Sequence, residues 1–457
     1  MKASVVLALS CSIFLALLLT GATPANGEPA TPASFSSQER GMGPEYQIST
    51  PSNPETDRYQ PASAYNSVHH QTLVVWHRND GSYYIEGRLL DATGRPLGSG
   101  PTILVSGSTP VYQPAVAYNA TDNQYLVVWM RNTNLDGKTF DVWGKILSAN
   151  LTEVRPEYQI FSPPSNYSCW SPRVAWNSKK VEFMVVWNAF NISAYPAMVP
   201  DNIAQETLIW NGDLVGHILV IGNTAGNMIY PQQVDLVYFP TGDPYGKYMW
   251  VWKQVKPGTA DYDIWAANID AQLGGYLPGL PPWKVGDSTS DQSNPRIATT
   301  GNNDFMVVWQ ERSPVAPNDW DIRGAEMNQI GTFFGGIHVI AGWGSTDETS
   351  PFVAAWPGAV PNYVVGYERQ SATGQDIWLV YNNNGANTIS FSGFTFWLDN
   401  FPAAAYGFYT NSTPTGVVVG PNVQIAYQGV SNTPGDHPHI YTRAWTPFLT
   451  YLPSIRK

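Results

Sequence analysis

Apolar positions along the chain fall in short runs, broken every few residues by Asn, Asp, Ser, Gly or Pro. The most regular runs are Leu73-Val74-Val75-Trp76, Leu126-Val127-Val128-Trp129, Met184-Val185-Val186-Trp187 and Met306-Val307-Val308-Trp309, with Met249-Trp250-Val251-Trp252 and Val364-Val365-Gly366-Tyr367 as looser copies. Branched and aromatic residues in runs of this length predict strands, because such side chains pack well on a pleated surface. Beyond the N-terminal region no stretch keeps a 3.6-residue apolar period over three turns, so the chain reads as all-β.

A second phrase precedes each of these runs. Its clearest copies are Tyr59-Gln60-Pro61-Ala62-Ser63-Ala64-Tyr65-Asn66 and Tyr112-Gln113-Pro114-Ala115-Val116-Ala117-Tyr118-Asn119, with looser ones starting at Pro172, Pro231, Pro295, Pro351 and Pro402. Successive prolines lie 51 to 64 residues apart, a spacing suited to propeller blades. Each unit then continues into a third strand opened by an acid (Glu86, Asp141, Asp263, Asp321 or Asp376) and, after a Gly turn, a shorter fourth strand. Four antiparallel strands in seven units predict a seven-bladed β-propeller. The segment Pro44-Glu45-Tyr46-Gln47-Ile48-Ser49 matches Pro156-Glu157-Tyr158-Gln159-Ile160-Phe161, which stands where a fourth strand belongs. The last unit lacks a fourth strand, so residues 44 to 50 are expected to complete it and close the ring. A ring of six or eight blades, or two stacked β-domains, remain as alternatives.

Residues 1–27 carry Lys2, an apolar stretch from Val5 to Leu19 and a small-residue exit, and read as a signal peptide. An uncleaved membrane anchor is the other reading of that stretch. Residues 28–43 form a flexible leader, 44–446 the propeller and 447–457 a C-terminal tail. With Cys11 inside the signal, Cys169 is left alone and no internal disulfide can form. The 24 basic against 35 acidic residues give a net charge of −11, which provides no general attraction to nucleic acid or anionic membranes. A secreted or cell-surface location follows, with an extracellular glycan or surface protein as partner and no membrane span after signal cleavage. The sequons at Asn119, Asn150, Asn166, Asn191 and Asn411 are candidate glycan acceptors.

The Pro-x-x-Ala-Tyr-Asn opening, Leu-Val-Val-Trp centre and Asp-x-Trp-Gly third strand resemble repeats of predicted extracellular β-propeller proteins of bacteria. The resemblance spans roughly residues 44 to 446 and implies an exported propeller. It carries no catalytic assignment. The chain has no Ser-x-Asp-x-Gly-x-x-Trp box, and neither kelch double glycines nor WD-repeat endings recur.

The candidate chemistry is sparse. Trp76, Trp129, Trp187, Trp252, Trp309 and Tyr367 recur in the repeats and are expected to fill the wedges between blades. Aromatics outside the phrase, Trp170, Trp210, Trp283, Trp320 and Trp343, are the ligand-binding candidates. Asn132, Asn134 and Asp136, followed by Gly137, echo the alternating oxygens of a calcium loop, with Asp141 nearby. Trp143 occupies the position of the closing bidentate acid, so a plain polar turn competes with that reading. No other cofactor is implied. His69-His70 and His437-Pro438-His439 lack accompanying cysteines, and no nucleophile elbow, phosphate loop or dinucleotide fingerprint is present. These features favour a binding protein without catalysis, with a polysaccharide-active enzyme, glycoside hydrolase or lyase, working in the propeller funnel as the alternative.

Overall fold

Side-chain alternation along a strand sends neighbouring residues to opposite faces, and the Leu-Val-Val-Trp runs are apolar at every position because both faces are buried. Leu73 and Val75 pack toward the second repeat, with Val116, Val127 and Trp129. Val74 and Trp76 pack the other way, with Ala426 and Ile440 of the last repeat. The same division recurs around the molecule, so that each of seven apolar clusters is built from two neighbouring repeats. Trp76, Trp129, Trp187, Trp252 and Trp309 are among the largest fully buried side chains, as wedge filling requires.

These contacts come from a computed structural model that describes residues 43–49, 57–193, 199–209, 211–214, 220–222, 230–240, 242, 244–255, 259, 261–272, 275–314, 319–342, 346–357, 362–371, 374–381, 396–397, 409–431 and 437–446. All of them belong to one compact unit, Phe35–Lys457. The expected signal peptide, most of the leader and the tail lie outside the described residues. Among the described residues there is no helix, and so none long and apolar enough to cross a membrane.

The chain forms a β-propeller. Each inner strand is followed by its second, third and fourth strands in sequence order, as in Asp57–Asn66, Gln71–Asn79, Tyr83–Leu90 and Thr102–Gly107. Five such four-stranded sheets are present, together with one of eight strands. The expected seven separate blades are thereby corrected to a six-bladed ring. The sixth and seventh repeats share a single sheet because Gly374–Tyr381 pairs in parallel with Tyr409–Val419 through Gln375 and Thr410. Close approach of these two repeats has a visible cause. Phe352 stands where the first two repeats have Ala62 and Ala115, and its ring lies against Gly366 and Gly416; a Cβ added at either glycine would meet ring carbons at 2.0 and 2.4 Å.

Ring closure follows the expectation. Tyr46–Gln47 pairs antiparallel with His439–Trp445, Tyr46 opposite Thr442 and Gln47 opposite Tyr441. Ile48 is fully buried and donates its N–H to the Ile440 carbonyl at 2.9 Å. Ser49 Oγ in turn accepts the Ile440 N–H at 3.1 Å.

Every inner strand carries one irregularity at the same place. Gln60, Gln113, Ser171, Gln233, Asn294, Ser350 and Thr413 have φ between 49° and 56°, and the strand register shifts there in each case. A non-glycine residue in this left-handed region is uncommon and marks a built-in bulge. The next residue is proline in six repeats and Val234 in the fourth. This register moves two anchors: the fourth repeat aligns on Val234 and not Pro231, and the seventh on Pro414. Pro402 lies outside the described residues. The second and third strands also run further than expected, so that much of the segment 188–206 is paired strand.

Two substitutions test the packing. Trp187→Ala should lower unfolding free energy by about 3–5 kcal/mol through loss of a wedge side chain. Ile48→Ala should cost about 2–5 kcal/mol within the same cooperative transition, because the closing strand is part of the ring. Equilibrium denaturant unfolding measures both; a separate early transition for Ile48→Ala would contradict the closure.

Candidate functional site

The bulges point the seven inner strands at a common axis and enclose a cavity of about 480 Å³ lined by all seven of them. A second cavity of about 490 Å³ adjoins it and shares Gln60, Gln113 and Thr413. This second space forms the mouth, toward the N-terminal ends of the inner strands, where connections between repeats arrive.

Two ladder positions decide what the mouth presents. The residue before each bulge is Tyr59, Tyr112 and Trp170 in the first three repeats, then Gln232, Ser293, Thr349 and Ser412. Directly opposite, just past the wedge aromatic, stand His77, Met130, Asn188, Lys253, Gln310, Glu368 and Gln428. One side of the opening is therefore aromatic and the other polar.

The aromatic side is a continuous arc. Tyr59 stacks on His77 with centroids 5.2 Å apart, and Tyr112 meets His77 edge-on at 5.3 Å. Phe140 follows at 5.9 Å from Tyr112, then Trp170 at 5.2 Å from Phe140. Each such pair adds about 0.5–1.5 kcal/mol beyond its buried area, enough to hold the arc's shape without a ligand. Asp57 braces its outer end: it accepts the Tyr59 hydroxyl at 2.7 Å and meets His437 Nδ1 at 2.7 Å. Burial, helped by Asp57, pushes the Tyr59 hydroxyl up to about 12, and burial beside Tyr83 does the same for Tyr112.

His77 is the titratable group at the centre of this arc. It is 5 % exposed, and its Nδ1 has no hydrogen-bond partner. Burial lowers its pKa to about 4, Asp57 only partly opposing the shift. At neutral pH it is an uncharged imidazole, one of whose ring nitrogens carries a lone pair.

The polar side is stitched from repeat to repeat. Gln113 Oε1 accepts the Ser171 N–H at 2.8 Å, Asn188 Oδ1 the Val234 N–H at 3.3 Å and Gln233 Oε1 the Asn294 N–H at 2.7 Å. Gln310 Oε1 accepts the Ser350 N–H at 3.1 Å, and Glu368 Oε1 the Thr413 N–H. Glu368 Oε2 also takes Gln375 and Thr349, so this acid is committed to the scaffold.

Of the aromatic ligand candidates among the described residues, the structure brings only Trp170 into the mouth. Trp320 is half-buried at the start of its strand with the Arg312 guanidinium over its ring at 4.6 Å. Trp283 is also half-buried and closes against Gly331. Trp210 and Trp343 lie outside the described residues. In the loop read for calcium, Asn132 Nδ2 donates to Asp136 Oδ1 at 3.0 Å, and Asp136 also accepts Lys138 and Thr139 N–H groups and the Thr139 hydroxyl. Burial alone would raise Asp136, yet these donors hold it well below the usual carboxylate range. Asn134 is exposed, and Asp141 is buried and accepts the Ser162 hydroxyl at 3.1 Å. Among the described residues no group of three or more His, Cys, Asp or Glu is arranged to hold a metal. The acids opening third strands take side-chain partners: Glu86 accepts Trp76 Nε1 and Arg78, Asp263 pairs with Lys284 at 3.1 Å and Asp321 with Arg323 at 3.1 Å. Asn119 is fully buried and bonds its own turn, which leaves no room for a glycan.

His77, Tyr59 and Tyr112 were not among the candidates. The signal was available in the ladder positions, where the repeats differ most, but it becomes visible only once the bulge fixes the alignment.

No family model matches the chain, and no curated protein does. Solved structures do resemble it. A protein of unknown function from Dyadobacter fermentans superposes with a TM-score of 0.51 at 12% identity, covering 88% of this chain and 98% of its own. The polysaccharide lyase Uly1 gives 0.48 at 8% identity, over 89% and 100% of the two chains. An α-L-arabinofuranosidase of Fusarium graminearum, solved with arabinobiose, gives 0.46 at 12% identity over 89% and 98%. At these identities the likeness establishes the β-propeller fold and nothing finer. A propeller fold carries binding and catalytic roles alike, so the expectation that a role without catalysis is the better supported one does not stand.

The buried titratable groups bracket stability in pH. His77 has its pKa depressed from an ordinary 6.5 to about 4. Its contribution is complete above the ordinary value and declines as pH falls through about 4, by up to about 3 kcal/mol. Glu348 is displaced the other way, to about 8: burial outweighs the Thr346 hydroxyl and the Arg369 guanidinium 3.2 Å away, and Asp319 and Asp321 add repulsion. Its contribution is complete below the ordinary carboxyl value and is lost as pH rises through about 8. Unfolding free energy measured across this range should fall at both ends. Glu348→Gln should flatten the alkaline side alone, and an unchanged alkaline slope in that variant would contradict the assignment.

Proposed function

We propose that the protein is a polysaccharide-active enzyme whose site is the mouth of the propeller funnel. Support comes chiefly from the uncharged, buried imidazole of His77, wedged between Tyr59 and Tyr112 at the edge of an open cavity. The export-signal reading of residues 1–27 agrees with an extracellular substrate.

Sugar rings present an apolar face and a rim of hydroxyls, and an opening that is aromatic on one side and rich in amides and hydroxyls on the other complements both. Tyr112 and Trp170 supply the stacking surface, while Gln60, Gln113 and Gln428 supply donors and acceptors. Neutral His77 takes a proton in the bond-breaking step, either from an attacking water or from a sugar carbon. Tyr112, protonated through the physiological range, returns one to the departing oxygen. Such acid–base catalysis contributes about 10²–10⁴-fold in rate.

A panel of plant and microbial polysaccharides assayed for new reducing ends or unsaturated products tests this reading. His77→Gln should reduce turnover by about 10²-fold or more while saccharide binding persists. Wild-type activity should decline as pH falls through about 4, where His77 becomes charged. Trp170→Ala should instead weaken binding about tenfold through loss of stacking area. Full activity in His77→Gln would overturn the assignment.

A further inference from the structure

Below the mouth, the second residue after each left-handed bulge residue faces the funnel. In the first two repeats it is Ala62 and Ala115, and in the last two Phe352 and Thr415. The three repeats between carry Arg173, Asp235 and Arg296, and all seven positions line the same cavity. We propose that Arg173 and Arg296 receive a singly charged oxyanion carried by a sugar, a uronate carboxylate or a sulfate ester. This rests on reading the funnel as a saccharide site.

Three observations support the assignment. First, two guanidiniums and one carboxylate leave one positive charge in the throat of a protein whose net charge is −11, so the sign runs against the molecule as a whole. Second, the two arginines are held alike. Arg173 Nη1 donates to the Pro172 carbonyl at 3.1 Å and Arg296 Nη1 to the Pro295 carbonyl at 3.0 Å. A guanidinium has five N–H donors in a fixed fork, so each arginine keeps most of its donors for an anion's oxygens. Third, Asp235 cannot neutralise both. Its Oδ2 is engaged by the Ile297 N–H at 3.2 Å, and its Oδ1 is 3.9 Å from Arg173 Nε. Burial first, and then the charge of Arg296, lower the pKa of Arg173 to about 10, against the pull of Asp235. A bound monoanion relieves that repulsion and completes the charge balance.

Titration calorimetry with matched oligosaccharides separates the outcomes. The ligands are an oligogalacturonate, its methyl ester, a sulfated oligosaccharide and a neutral oligosaccharide of the same length. The acidic ligands should bind about tenfold or more tightly than the methyl ester, with affinity falling as salt rises. Preference for the carboxylated over the sulfated ligand, or the reverse, identifies the source of the anion. Arg173→Gln and Arg296→Gln should each cost about tenfold to a hundredfold for the acidic ligand only, whereas Trp170→Ala should weaken acidic and neutral ligands alike. Asp235→Asn should tighten acidic binding several-fold, a gain that misfolding cannot imitate. Equal affinity for acidic, esterified and neutral ligands would overturn the oxyanion site while leaving the saccharide site standing. No saccharide binding at all in the wild-type protein would overturn both.

Discussion

A backbone N–H turned inward at the inner-strand bulges is the interaction on which the rest of the architecture depends. The left-handed residue of each bulge withdraws from the strand ladder, so its amide needs another acceptor. From the third repeat to the seventh, the preceding repeat supplies an acceptor at the bulge: Gln113, Asn188, Gln233, Gln310 and Glu368 in turn, Asn188 taking the N–H of Val234, one residue past the left-handed Gln233. An amide left unpaired in this partly enclosed setting would cost about 1–3 kcal/mol, so every link fixes the spacing of neighbouring strands. At the remaining junctions the work passes to the Tyr59–His77–Tyr112 arc, to a contact of 3.2 Å between the Ser63 and Thr415 hydroxyls, and to the closing N-terminal strand.

That constraint separates scaffold from chemistry. The wedge aromatics and the bulges repeat because each junction poses the same packing problem. One residue further along the second strand, repetition ends: His77, Met130, Asn188, Lys253, Gln310, Glu368 and Gln428 share a position and little else. Side chains on such rigid strands are held in place more firmly than on loops, which favours catalytic and recognition geometry. The acids opening third strands, though conspicuous, are absorbed by Trp, Arg, Lys and Ser partners within the sheets.

Much of the fold was legible in the sequence. Strand content, strand order within a repeat, the burial of the Leu-Val-Val-Trp runs and closure by residues near Tyr46 all follow from alternation and phrase spacing. The blade count did not, because sheet identity depends on one parallel pair, Gln375 with Thr410, and on a phenylalanine seated between Gly366 and Gly416. Spacing could not reveal either contact. The site was less legible still. Aromatics outside the repeat phrase are the ligand candidates the sequence offers, because variable loops on a constant scaffold are where recognition resides. Trp170 lines the second cavity, whereas Tyr59 and Tyr112 lie inside a repeated phrase and His77 directly follows Trp76, positions where repetition points to packing. Only the bulge, which reverses where a strand's side chains point, turns Tyr59 and Tyr112 toward the opening while Ala64 and Ala117 remain buried.

On the reading proposed above, the constant scaffold serves to present the funnel. A crystal structure of the protein with a bound oligosaccharide tests it most directly. The account predicts a sugar ring against Tyr112 and Trp170, with its neighbouring unit reaching down toward Arg173 and Arg296. A saccharide bound on the outer loops, with the funnel left to solvent, would contradict it.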